Sequence, residues 1–339
     1  MFLGGPIVGK LYDNYGPRGI LLTGSFLHVF GLMMASVSTQ YYQLLLSQGI
    51  CSPIGASMIF YPAMSTVLSW FFKRRALALG IMASGSSLGG VIFPIMVQRL
   101  IPLVGFAWTM RICAFVILAL LIFANLTVRS RLPPHPTPFS VMDFVRPLGE
   151  LPFALLTFGA FCIFFGLFIP FGYIELSAIH LGMDPYLAGF LIPILNACSI
   201  PGRILPGYVG DKVGRFNVQI VMCGLCAILV LALWIPARGN APLIVFSALY
   251  GFGSGAFVSI VPAIIAQLGD IRKIGVRTGS MFAIVSIAAL IGNPIGGALL
   301  LRKDGDFEYL QIICGVFIAF GTAISVGSKA STGKLFQKF

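Results

Sequence analysis

Three polar residues inside one apolar run can do chemistry on a small molecule. Asn196, Ser199 and Arg203 fall at positions i, i+3 and i+7 of the stretch 185–206, so a helix there sets them on one face. A guanidinium in a spanning helix is costly and marks a functional site by default. Its planar fork matches a carboxylate through two parallel hydrogen bonds. The competing reading is an arginine that snorkels to the near membrane face, because it lies four residues before Gly207, about 6 Å along a helix. Ser247, Tyr250 and Ser254 repeat the spacing. They are expected to line the same cavity, Tyr250 as a substrate contact, with simple bonding between neighbouring helices as the alternative.

No other reaction is legible. There is no His/Asp/Glu cluster, metal-ligand spacing or nucleophile motif, so no enzyme, catalytic residue, metal or cofactor is expected. The seven cysteines lie inside apolar runs, and Cys223 and Cys226 have no neighbouring histidine; all read as small buried residues. Arg111, after Trp108 near a span end, reads as an interfacial anchor. Glu175, His28 and His180 receive no role.

A second group of residues suits conformational work. Gly207-Tyr208-Val209-Gly210-Asp211-Lys212-Val213-Gly214-Arg215 sits between two apolar runs, and Gly9 to Arg18 is a near copy carrying Asp13 and Gly16. Asp13 to Asp211 and Gly16 to Gly214 are both 198 residues apart. A polar motif repeated at one offset between hydrophobic segments implies two related halves in a membrane. A carboxylate at the end of one helix can sit against the positive N-terminus of another. The bland alternative is a solvated turn with ordinary charges.

These groups must be held by apolar helices. The chain has 339 residues, 58% hydrophobic and 9% charged, against about 25% charged in soluble domains, so most of its surface must face lipid. The net charge of +12 does not form a nucleic-acid stripe but alternates between loops. Spans of about 20 apolar residues are expected at 19–38, 42–69, 76–100, 105–127, 151–174, 185–206, 216–236, 241–268, 276–301 and 307–327, with residues 1–9 a fragment. With the loop at 10–18 placed in the cytoplasm, that side holds Lys10, Arg18, Lys73, Arg74, Arg75, Arg129, Arg131, Arg146, Lys212, Arg215, Arg272, Lys273, Arg277, Lys329, Lys334 and Lys338. The other side holds Arg99, Arg238, Arg302 and Lys303. Sixteen against four is a positive-inside bias.

The segment 128–149, with prolines at 133, 134, 136, 138 and 147, reads as a semi-rigid cytoplasmic linker. The expected domains are an incomplete N-terminal bundle (1–127), this linker, and a six-helix bundle with a short tail (150–339). The 198-residue offset puts the counterpart of the span at 151 before Met1. The expectation is therefore an all-α membrane protein of two six-helix pseudo-repeats, lacking the first helix and part of the second.

Paired Gly-x3-Asp-x2-Gly loops, basic loops on one side and a proline-rich middle resemble the major facilitator superfamily. The run Trp70-Phe71-Phe72-Lys73-Arg74-Arg75-Ala76-Leu77-Ala78-Leu79-Gly80, continuing to Gly85-Ser86-Ser87-Leu88-Gly89, is similar to the fifth-helix signature of monocarboxylate transporters, fungal type. Trp70 replaces the family's Tyr, and Met82 and Ser84 replace alanines.

The resemblance implies that Asp13, Gly16, Arg18, Asp211, Gly214, Arg215, Arg74 and Arg75 gate the conformational change. Asp13 should then face the start of 276–301, and Asp211 the start of 76–100. It implies that Arg203 binds substrate together with Asn196, Ser199 and Tyr250. The family's acidic partner one turn before the arginine is Ser199 here, which leaves a coupled proton open. The expected function is secondary transport of a small organic anion by alternating access, in a multi-pass protein of the plasma membrane whose partners are the bilayer and a small-molecule substrate. The alternatives are an efflux carrier for a larger metabolite or vitamin, and a truncated remnant that does not transport.

Overall fold

The computed structural model describes all residues except 132, 134, 135, 137, 139, 303, 304 and 334–339. Those exclude Pro134 of the linker and Lys303, Lys334 and Lys338 of the charge pattern, which lie outside the described residues. Among the described residues every regular element is a helix, as expected where no water can satisfy a backbone.

Among the described residues nine stretches are long and apolar enough to cross a membrane. One of them, Arg75–Thr127 with 53 residues, breaks at Gly105, where φ is 76° and ψ is 169°, a conformation no helix contains. It therefore counts as two helices, and the ten spans expected from the sequence are present. In chain order the helices are α1 (Gly5–Tyr15), α2 (Pro17–Ser36), α3 (Tyr41–Trp70), α4 (75–104), α5 (106–127), α6 (Leu151–His180), α7 (Pro185–Val213), α8 (Arg215–Trp234), α9 (Asn240–Leu268), α10 (Ile271–Arg302) and α11 (Glu308–Ser331).

Two boundaries differ from the sequence expectation. The repeated motif is not a loop. Gly9 to Asn14 belong to α1, and Gly207 to Val213 belong to α7. Only Gly16 and Gly214, with φ of 77° and 114°, leave the helix, in a region that favours glycine. Pro17 and Arg215 then start the next helices directly. Arg203 consequently lies ten residues before the end of α7, about 15 Å along the axis, deeper than the apolar run alone suggests.

The chain forms two compact units, and neither is continuous in sequence. One comprises Met1–Phe72, Ile92–Val145 and Gly269–Ala283; the other Lys73–Val91, Arg146–Leu268 and Ile284–Phe339. In the first unit α2 crosses α3 where Gly24 faces Met58 and the Gly55 carbonyl, and Gly55 faces the backbone of His28. α1 lies against the first turns of α10, Gly9 on Gly275 and Gly5 on Gly279, so close that neither residue has room for a Cβ.

In the second unit α6 packs on α11 through Gly159 and Gly321. α7 packs on α9 through Gly202 and Gly251. Without a hydrophobic drive between helices in lipid, such small-residue crossings supply the packing. The linker contributes a short helix, Met142–Val145, and a turn, Arg146–Gly149. Asp143 of that helix pairs with Lys10 of α1 at 2.8 Å.

Candidate functional site

The two motif carboxylates each reach the start of a helix. α7 continues through Asp211, so its side chain projects sideways two residues before the end. There Oδ1 accepts from Ala76 N–H at 3.2 Å and Oδ2 from Leu77 N–H at 3.0 Å. These amides are among the four at an α-helix start that have no internal partner, and the helix dipole there favours an anion.

Asp13 on α1 meets the first turn of α10 in the same way. Its Oδ1 accepts from Gly275 N–H at 3.2 Å and its Oδ2 from Val276 N–H at 3.1 Å. The offset between the two sets of donors is one residue longer than that between the carboxylates.

The surroundings of the two carboxylates differ. Asp211 is also bound by Arg215, whose Nε lies 3.0 Å and Nη2 2.9 Å from Oδ1. Arg215 Nη1 donates to Gln267 at 3.2 Å. Arg75 is buried, donates to the Ala266 carbonyl at 3.2 Å, and sits within electrostatic reach of Asp211 and Arg215.

Among the described residues no arginine is bonded to Asp13. The position 198 before Arg215 is Pro17, and the residue before Gly275, in the place of Arg75 before Ala76, is Ile274. α1 is too short to span, and Asp13 sits near its end. Burial pushes the Asp13 carboxyl up to about 7, against the two backbone N–H groups and Lys10, which draw it down. Beside Asp13 a cavity of about 260 Å³ is lined by Tyr12, Ser65, Ser69, Ser130 and Arg272 among others. Arg18 and Arg74, expected to act with the carboxylates, are exposed.

Arg203 is 9% exposed and does not snorkel. Its Nη1 donates to the Ala83 carbonyl and to Ser86 Oγ, and its Nε to Ser199 Oγ at 3.2 Å. Ser199 also accepts from Ser87 Oγ at 3.2 Å. Asn196 lies along the same face of α7. Its amide nitrogen donates to the Ile192 carbonyl at 3.1 Å, and its side chain fills the space beside Gly90. The expected stripe is thus a real face, but it abuts the segment 83–90 of α4.

Tyr250 lies apart from this group. It is fully buried, stacks on Phe246 at 5.2 Å and donates to the Leu167 carbonyl at 2.9 Å. Ser247 and Ser254 bond to the carbonyls of Leu243 and Gly251 in their own helix. Here the ring fills a helix crossing, and its hydroxyl is met by one backbone acceptor.

Arg111 donates to Ser36 at 3.2 Å and stacks on Trp108 at 5.0 Å. Among the described residues no group of three His, Cys, Asp or Glu converges as a metal site would.

Ser86, Ala83 and Gln267 were not picked out from the sequence. They lie 117, 120 and 52 residues from the arginines they serve, and no local spacing signals such a pairing.

Comparison with known proteins bears on the family and the fold. The Major Facilitator Superfamily model matches residues 1–242. An "MFS-type transporter 1" from Ophiocordyceps sp. is 55% identical over 98% of this chain and 74% of its own length. A "Fujikurins efflux protein" from Gibberella fujikuroi is 44% identical, covering 96% and 70%. An "Aspyridones efflux protein" from Emericella nidulans is 39% identical, covering 100% and 70%. Among solved structures, the E. coli fucose:proton symporter superposes with a TM-score of 0.77 at 17% identity, covering 96% of this chain and 88% of its own, a likeness of fold alone. By these matches and its own helix order, the chain is a transporter of the Major Facilitator Superfamily.

Proposed function

We propose that this transporter exports a secondary metabolite across the plasma membrane by alternating access. The observation that carries this reading is the naming of relatives at 44% and 39% identity as efflux proteins for fujikurins and aspyridones. The site agrees with it. Serine stands at position 199, and the described residues bring no carboxylate to Arg203, which is met by a carbonyl and two hydroxyls. The basic loops, with Lys73, Arg74, Arg272 and Lys273, face the cytoplasm on this reading, so the two carboxylate latches close the cytoplasmic side.

The test uses inside-out vesicles from yeast expressing the whole chain. They are offered fujikurins, aspyridones and agnestins beside lactate, and uptake is followed by mass spectrometry. Energised accumulation of one of the three metabolites without lactate is expected. Lactate uptake with none of the metabolites would instead establish the second reading, a monocarboxylate carrier. That reading is favoured by the likeness of residues 70–89 to the monocarboxylate transporters' signature.

A further inference from the structure

Residues 76 to 90 of α4 run antiparallel to residues 211 to 196 of α7, and the two segments are joined at every turn. Asp211 holds the amides of Ala76 and Leu77. Gly207 lies so close to the Ala76 carbonyl that a Cβ there would have no room. Gly80 is bare against the carbonyl of Arg203. The Arg203 side chain then reaches Ala83 and Ser86, Ser87 reaches Ser199, and Asn196 fills the space at Gly90.

The hydroxyls on α4 are arranged for this. Ser86 donates its own hydrogen to the Ala83 carbonyl at 3.0 Å, which turns its lone pairs toward the guanidinium. Ser199 collects bonds from both Ser87 and Arg203. The backbone of Arg203 is fixed as well, since its carbonyl accepts from Ser259 of α9 at 3.2 Å. A carboxylate fork needs two free N–H groups on one edge of the guanidinium. Here two of the three nitrogens are already committed, Nε to α7 itself and Nη1 to α4.

We infer that Arg203 is a positioning residue of the cytoplasmic closure: it pins the first turns of α4 to α7 two turns above Asp211, and it does not grip the substrate. Three neutral acceptors account for the buried charge without a ligand. The corresponding crossing of α1 on α10 has Gly5 at the position 198 residues earlier, packed on Gly279 with no side chain at all. The arginine tie is therefore peculiar to the α4–α7 crossing.

Accessibility of two introduced thiols in the whole chain tests this without a known substrate. Ala83→Cys places one in the joined segment, where Ala83 is 8% exposed. Asn293→Cys places one at an exposed position nearer the far end of α10. A membrane-impermeant maleimide is applied to inside-out vesicles for the first and right-side-out vesicles for the second, after subtraction of the rate from the native cysteines.

Arg203→Gln should raise the rate at position 83 about tenfold, the value of one or two charged hydrogen bonds, and lower the rate at position 293. Arg203→Lys should recover most of the closure, because neutral acceptors need a donor and not a planar fork. Ser86→Ala, which leaves the arginine in place, should raise the rate at position 83 severalfold, and it decides the matter if Arg203→Gln does not reach the membrane. An unchanged rate at position 83 would overturn the inference. So would a rise at both reporters together, which signals a loosened fold and not a shifted gate. This outcome is independent of which compound is exported, so the substrate reading can fail while the gate reading stands.

Discussion

The two carboxylate latches share a backbone geometry but should not share an energy. Asp211→Asn keeps one acceptor oxygen and turns an NH2 group toward a donor. One of the amides of Ala76 and Leu77 is then left unmet, at about 1–3 kcal/mol. It also strips Arg215, whose side chain is 11% exposed, of its counter-charge. Breaking a buried pair costs about 3–5 kcal/mol, and the remaining bonds of Arg215 to Gln267 and Ala263 place this loss at the lower end, about 3 kcal/mol.

Asp13→Asn likewise leaves one amide unmet but separates no ion pair. It also removes a carboxylate that is already disfavoured where it sits, so its net effect should stay within about 1 kcal/mol. The closed state should thus be weakened by a factor of about 1,000 or more in one case and less than about 5 in the other. The assay is maleimide access in inside-out vesicles, with Leu79→Cys reporting on the Asp211 latch and Ser280→Cys on the Asp13 latch; both positions are buried. Equal responses, or a larger one for Asp13→Asn, would refute the assignment of the ion-paired latch as the stronger.

A pH dependence follows for the Asp13 latch alone. Closed, its carboxyl titrates near 7; opened to water, it returns to its ordinary 3.8. The closed state therefore binds the proton more tightly. Its advantage is complete below about 4, declines as pH rises, and is gone above about 7. The groups around Asp13 are Lys10 and Tyr12 on its own helix, Asp143 paired with Lys10, and Arg272 across the cavity. Access to the thiol introduced at position 280 should rise about tenfold from pH 6 to pH 8 after correction for thiolate reactivity, and should be flat when Asp13→Asn is added. A rate that does not change over this range with Asp13 in place would exclude a titrating carboxyl there.

Other perturbations separate packing from transport. Gly275→Ala should lower surface abundance and melting temperature, because its Cβ would enter the Gly9 carbonyl and the Asp13 carboxylate, an overpacking worth about 1–3 kcal/mol. Gly19→Ala, which meets nothing within 4 Å, should be silent in the same measurements. Tyr250→Phe should cost about 1 kcal/mol of stability through the lost bond to Leu167 and leave the substrate KM unchanged in vesicle uptake. A raised KM with unaltered stability would return Tyr250 to the cavity.

Why some of this was legible in the sequence and some not comes down to the range of the interactions. Spans follow from local hydropathy, and all ten were found, with α6 and α7 running six and seven residues beyond the expected ends and a break at Gly105 separating α4 from α5. The carboxylate–amide contacts were expected because the family resemblance implied them for two carboxylates, Asp13 and Asp211, that repeat at one offset. The stripe of Ser247, Tyr250 and Ser254 was not decidable from spacing, because a Ser/Tyr stripe at helical spacing describes a cavity wall and a helix crossing equally well.

Arg203 shows the deeper limit. Its type and depth announce a costly charge, but its acceptors are a backbone carbonyl and a serine on another helix, neither of which carries a chemical signature. The unequal strength of the latches sits between these cases. Arg215 against Pro17, and Arg75 against Ile274, are plain in the chain. They become comparable only when the amides that cap each carboxylate fix the register at one residue beyond the 198-residue offset. A repeat identifies which elements correspond; the contacts identify which residues do, and it is in that last residue of register that the two halves acquire different chemistry.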